Sequence, residues 1–144
     1  MRAETSSSVT DQPDIDLYVA KLTTDGDFAW QRGFGNALQQ QDAFDLAVTS
    51  EGGVVLDATT KSSHDIAQFH IDADTSGSGF LLKLDGSGDP SFVTSLNDAI
   101  YLEAHNAVVI GDCRDFYAAA QFQGSLFVPR ATGSGDIFVI AGRY

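Results

Sequence analysis

Basic residues are scarce in this chain. Lys and Arg number 8 against 20 Asp and Glu, leaving a formal net charge of −12 over 144 residues. Such a surface repels phosphate backbones, so nucleic acid is not an expected partner. Cysteine is nearly missing as well. Cys113 stands alone, so no disulfide can form within the chain. It follows the apolar Val108-Val109-Ile110, and a buried structural thiol is the expectation rather than a nucleophile. No apolar run approaches the about 18 residues that a membrane helix needs, so membrane insertion is not expected. Residues 1–8 lack the apolar core of a secretory signal, which predicts either an intracellular protein or a chain without its natural start.

What remains is rich in short apolar runs. Hydrophobic residues make up 43 %, with 10 Phe and 14 Gly. Runs of Phe, Val, Thr and Tyr punctuated by Gly, Asp and Ser predict an all-β protein with one domain's worth of core. Residues 1–13 are polar and are expected to form a flexible lead-in. Residues 17–22 and 28–34 then predict a hairpin across Thr24-Asp25-Gly26-Asp27. A second hairpin is expected from 44–49 and 54–56 across Ser50-Glu51-Gly52-Gly53, its second strand apolar enough for burial on both faces. Residues 59–78 read as a polar excursion. The pattern restarts with strands at 80–84 and 91–96 around Asp85-Gly86-Ser87-Gly88-Asp89-Pro90. Strands at 100–103 and 107–110 are expected to pair across His105-Asn106. A further excursion spans 111–135, and a last strand spans 137–141.

The chain repeats itself. Asp16-Leu17-Tyr18-Val19-Ala20-Lys21-Leu22 returns as Gly79-Phe80-Leu81-Leu82-Lys83-Leu84 and again as Asp136-Ile137-Phe138-Val139-Ile140-Ala141. The interval from Lys21 to Lys83 equals that from Trp30 to Phe92, so both strands of the first hairpin keep one register. Val54 to Val108 is a shorter interval. Ala67-Gln68-Phe69 recurs as Ala120-Gln121-Phe122, and Thr75-Ser76-Gly77-Ser78-Gly79-Phe80 echoes residues 132–138. Ordered matches with drifting offsets predict an array of small β-units joined by variable loops.

Several pieces resemble the bacterial β-propeller repeats known as SBBP repeats. They are Asp16 through Leu22, Asp25-Gly26, Trp30, Phe34-Gly35, Ala47-Val48, Gly53-Val54-Val55 and residues 132–139. The resemblance covers about residues 14–144; Asn97 stands where the family pattern has Gly, and the His105-Asn106 turn is shortened. It implies propeller-like blades of four-stranded antiparallel sheets. Residues 17–34 would be the outer half of one blade, 44–96 a full blade and 100–141 a partial one. A closed propeller takes roughly 4–8 blades, so the array is expected to be incomplete or partly open, and to be completed by self-association or by neighbouring blades of a larger chain. The resemblance also implies an extracellular or cell-surface setting, with a cytoplasmic one the alternative.

Two patterns carry possible chemistry. His70-Ile71-Asp72-Ala73-Asp74, if extended, puts His70, Asp72 and Asp74 on one face, where imidazole and carboxylates could ligate a divalent metal. A solvated loop is the plainer reading. Asp85 and Asp89 bracket a Gly-Ser-Gly turn with the oxygen spacing of a weak calcium site, yet an ordinary hairpin turn explains the same residues. His64-Asp65 could be an acid–base pair, though no serine or cysteine motif accompanies it. Tyr18, Trp30 and Phe92 are expected in a core between blades. Gly77-Ser78-Gly79 and Gly133-Ser134-Gly135 precede strands, which argues against phosphate cradles. The leading expectation is a non-catalytic binding or scaffolding segment whose ligand is a protein or a carbohydrate. The alternatives are a metal-dependent hydrolase or lyase using His70, Asp72 and Asp74, and a fragment of a larger propeller with no role of its own.

Overall fold

Three five-residue turns are built alike, and they set the hairpins. In Thr23-Thr24-Asp25-Gly26-Asp27 the first N–H donates to the fifth carbonyl (2.8 Å), the Gly N–H donates to the first carbonyl (3.1 Å), and the fifth N–H donates to Thr23 Oγ1 (3.2 Å). Thr49-Ser50-Glu51-Gly52-Gly53 repeats every bond, with Thr49 Oγ1 as acceptor. Asp85-Gly86-Ser87-Gly88-Asp89 repeats them with Asp85 Oδ1 in the hydroxyl's place. The fourth residue has φ of 90°, 79° and 84° respectively. Glycine reaches that region without the Cβ clash that other residues suffer.

The computed structural model describes residues 16–35, 40–73, 77–95, 99–103, 108–110, 115–124 and 134–143. Its elements are β1 (Leu17–Leu22), β2 (Phe28–Phe34), β3 (Gln41–Val48), β4 (Val54–Thr60), β5 (His64–Ile66), β6 (Phe69–Ile71), β7 (Ser78–Leu84), β8 (Pro90–Ser95), β9 (Ala99–Glu103), β10 (Val108–Ile110), β11 (Asp115–Gly124) and β12 (Ser134–Arg143). The described residues contain no helix, and every strand pair is antiparallel. β1–β2 and β5–β6 are two-stranded ribbons. One four-stranded sheet runs β3-β4-β7-β8, and another places β11 between β12 and β10, with β9 also on β11. None of these sheets closes on itself among the described residues.

The hairpins β1–β2 and β7–β8 share one register. Lys21 faces Trp30 as Lys83 faces Phe92, and each ladder slips just after its lysine. Their surroundings differ, however. β7 is buried at all seven positions. Phe80, Leu82 and Leu84 join Val54, Leu56 and Ala58 on the first face of the sheet, where Leu17, Ile66 and Ile71 pack against them and Val19, Trp30 and Phe34 add partial cover. The second face holds Val55, Asp57, Leu81 and Lys83, also buried. β9 runs beside β7, and β10 beside β3 and β4. β1 has cover on one face only. Tyr18, the register equivalent of Phe80, is 59 % exposed, which overturns its expected place in a core.

Three side chains of the β1–β2 ribbon grip backbone carbonyls at one end of the sheet. Lys21 Nζ donates to Gly52 O (2.9 Å), Trp30 Nε1 to Gly86 O (3.0 Å) and Arg32 to Ser87 O (3.0 Å). The approach is close: a Cβ on Gly88 would lie 2.7 Å from the Trp30 ring, and one on Gly53 would collide with the Leu84 carbonyl.

Other expectations need correcting. The 59–78 excursion contains the β5–β6 hairpin, whose Ile66 and Ile71 enter the core. The strands at 100–103 and 107–110 do not pair with each other; β9 and β10 both pair with β11, at residues 121–124 and 116–118. The 111–135 excursion contains the ten-residue β11. Ala67-Gln68-Phe69 and Ala120-Gln121-Phe122 therefore differ in structure, one a turn and the other mid-strand. The flexible lead-in at 1–13, Asp74, Asn97, His105-Asn106 and Cys113 lie outside the described residues.

Two stability predictions follow from the burial. Phe80→Ala is expected to cost about 3–5 kcal/mol of unfolding free energy, whereas Phe28→Ser, at a position 62 % exposed, should stay within about 0.5 kcal/mol; urea titration compares them. Asp57 is buried, its Oδ1 has no hydrogen-bond partner among the described residues, and Asp45 faces it across the ladder. Burial above all, with the Asp45 charge second, pushes its carboxyl up to about 7. The folded chain thus keeps a proton that the unfolded chain releases near pH 4, and stability falls as the pH rises through that window. Asp57→Asn should match the parent at pH 4 and exceed it at pH 8, by at most about 4 kcal/mol, read from urea melts at both values.

Candidate functional site

The β5–β6 hairpin carries the densest group of titratable side chains. Alternation along β5 sends His64 and Asp65 to opposite faces, so the two form no acid–base pair. His64 is buried. Gln41 Nε2 lies 3.0 Å from its Nε2, and Ser62 O lies 3.0 Å from its Nδ1. With the Gln41 amide nitrogen as donor, Nε2 accepts and Nδ1 donates to the Ser62 carbonyl. Its ring meets Phe80 edge to face at 6.3 Å. His64 is a core residue that ties the hairpin to β3 and β7.

The outer face is different. Asp65 and His70 are directly opposed in the ladder. His70 Nδ1 donates to Asp65 Oδ1 at 2.6 Å, and His70 Nε2 lies 3.3 Å from Asp72 Oδ1. All three side chains are more than half exposed. The hydrogen bond to Asp65 raises the His70 pKa, and the charges of Asp65 and Asp72 add to it. The arrangement is an imidazole ring held between two carboxylates. His70 and Asp72 come together as the i, i+2 spacing implies. Asp65 was expected beside His64; its pairing with His70 was not foreseen, and only a hairpin with its turn at Ala67-Gln68 could have revealed it. Among the described residues no group of three or more His, Cys, Asp and Glu side chains is arranged to hold a metal ion.

Asp85 and Asp89 sit in the turn clasped by β2. Asp85 Oδ1 accepts the N–H groups of Ser87 (2.8 Å) and Asp89 (3.0 Å), which hold its carboxyl below the usual carboxylate range. Asp89 Oδ1 pairs with Arg32 at 2.9 Å, and the carbonyls of Gly86 and Ser87 accept from Trp30 and Arg32. The oxygens that suggested a calcium loop thus have protein donors. Asp85 does what Thr23 and Thr49 do in the other two turns.

A groove of ≈ 320 Å³ opens between β1 and β3, lined by residues 17–20 of β1, 43–46 of β3 and Leu56. Leu46 on its floor is 54 % exposed, and Val48 beyond it is 67 % exposed. Such large apolar side chains in the open mark a contact surface.

The Asp65 contact makes a direct prediction. His70 should titrate above 6.5, and Asp65→Asn should bring it back toward that value, as followed by the ring proton shifts in NMR. No protein-family model matches the chain, and neither does any curated protein sequence.

Proposed function

We propose that this chain is a non-catalytic repeat segment of the β-propeller type that acts by binding or by surface scaffolding. The observation that carries the reading is the pair of hairpins β1–β2 and β7–β8. They share register, bulge position and turn chemistry, and one is stacked on the sheet that contains the other. Units that bury their apolar faces on each other form arrays, and arrays offer extended surfaces to protein or carbohydrate ligands. The SBBP-like residues supply the propeller element of the proposal and the extracellular or cell-surface setting.

A second reading draws on one specific contact. Histidines that ligate metals usually donate their other ring N–H to a carboxylate, and Asp65 stands in that relation to His70. With Nε2 beside Asp72, the hairpin could hold a divalent metal for hydrolase or lyase chemistry. Elemental analysis of the purified protein separates the two. The binding reading expects less than stoichiometric metal, unchanged in His70→Ala. One metal per chain that disappears in that variant would overturn it in favour of the enzyme.

A further inference from the structure

The internal repeat shows which strand β1 lacks. β7 pairs on one side with β8 and on the other with β4, seven residues long. β1 occupies the register position of β7, and among the described residues it pairs with β2 alone. Among the described residues its second edge has no ladder partner, and an unpaired edge is the feature that recruits an added strand. The groove between β1 and β3 is lined by Leu46, and Val48, two residues along β3, is exposed as well. A strand laid along β1 would pair its backbone and set alternate side chains onto these two residues.

We propose that the free edge of β1 receives an extended peptide segment of a partner protein as an added antiparallel strand, seated over Leu46 and Val48. This names the partner for the binding reading and rests on it. The recognised chemistry is an alternation of apolar and basic residues. The apolar set meets the floor. The basic set complements a chain of net charge −12 whose Asp16, at the entry to β1, is exposed.

The test uses the full chain and a fluorescent peptide of about eight residues alternating Val and Lys, read by anisotropy. Two further peptides carry N-methyl groups, one on every Val amide and the other on every Lys amide. In an added strand only alternate N–H groups face the partner. One methylated peptide should lose about tenfold or more in affinity while the other binds as before. The double variant Leu46→Ser, Val48→Ser, at exposed positions, should weaken the parent peptide by a similar factor. Equal binding of all three peptides, or an unchanged double variant, overturns the proposal and leaves the scaffold reading intact. A dimer of the unliganded chain that the same double variant dissociates assigns the groove to a second copy, and also overturns it. Stoichiometric metal dependent on His70 is the separate result that would overturn the binding reading itself.

Discussion

Seven consecutive buried residues in β7 govern the structure. A strand with one buried face can lie at a surface, but β7 buries Phe80, Leu82 and Leu84 on one side and Leu81 and Lys83 on the other. It must be central in its sheet, and the sheet must have a layer on each side. β4 provides one flank and β8 the other. The β1–β2 ribbon and the β5–β6 hairpin supply the cover for the first face, which leaves β9 and β10 as the neighbours of the second. The cost of this arrangement falls on the second face, where Asp57 is buried with no partner for Oδ1 among the described residues and Lys83 reaches Glu51 at 3.5 Å. Asp57 and Lys83 sit on one side of the sheet, and the apolar cluster sits on the other.

The same constraint explains why like sequences have unlike environments. Tyr18-Val19-Ala20-Lys21-Leu22 and Phe80-Leu81-Leu82-Lys83-Leu84 share one pattern, identical at the Lys and the last Leu, and their hairpins match in register. Yet Phe80 is covered by the ribbon that contains Tyr18, and nothing among the described residues covers Tyr18 in turn. In a stacked array, burial depends on having a neighbour. The repeat fixes which face is apolar, and position along the array decides whether that face is hidden.

The hairpins with a Gly at the fourth turn position could be read from sequence because that residue is where an L side chain is excluded. The β5–β6 hairpin could not. Its turn uses Ala67 at φ 54°, so no glycine marks it, and Ile66, Phe69 and Ile71 are the only large apolar residues in a polar stretch. The pairing of Asp65 with His70 was missed for the same reason, since it exists only once that turn forms. β11 was missed because Ala118-Ala119-Ala120 has weak strand preference; pairing with β10, β12 and β9 imposes its conformation. The spacing of His70 and Asp72 was legible because alternation is local. The role of Asp85 was legible only by comparison among three turns, where one acceptor oxygen changes from hydroxyl to carboxylate and every hydrogen bond stays.

The scarcity of basic residues gains a meaning from where those few are placed. Lys21 reaches the Gly52 carbonyl from the ribbon, and Lys83 reaches Glu51 from the sheet. Two lysines in equivalent register thus converge on one turn from two layers. Arg32 clasps the neighbouring turn at Ser87 and Asp89, and Lys61 holds the Gln40 side chain. Carbonyl acceptors do not titrate, so the contacts of Lys21 with Gly52, Arg32 with Ser87 and Lys61 with Gln40 persist over a wide pH range. These contacts leave the cations charged; the net charge of −12 follows from 20 acidic against 8 basic residues, and it favours encounters with cationic groups.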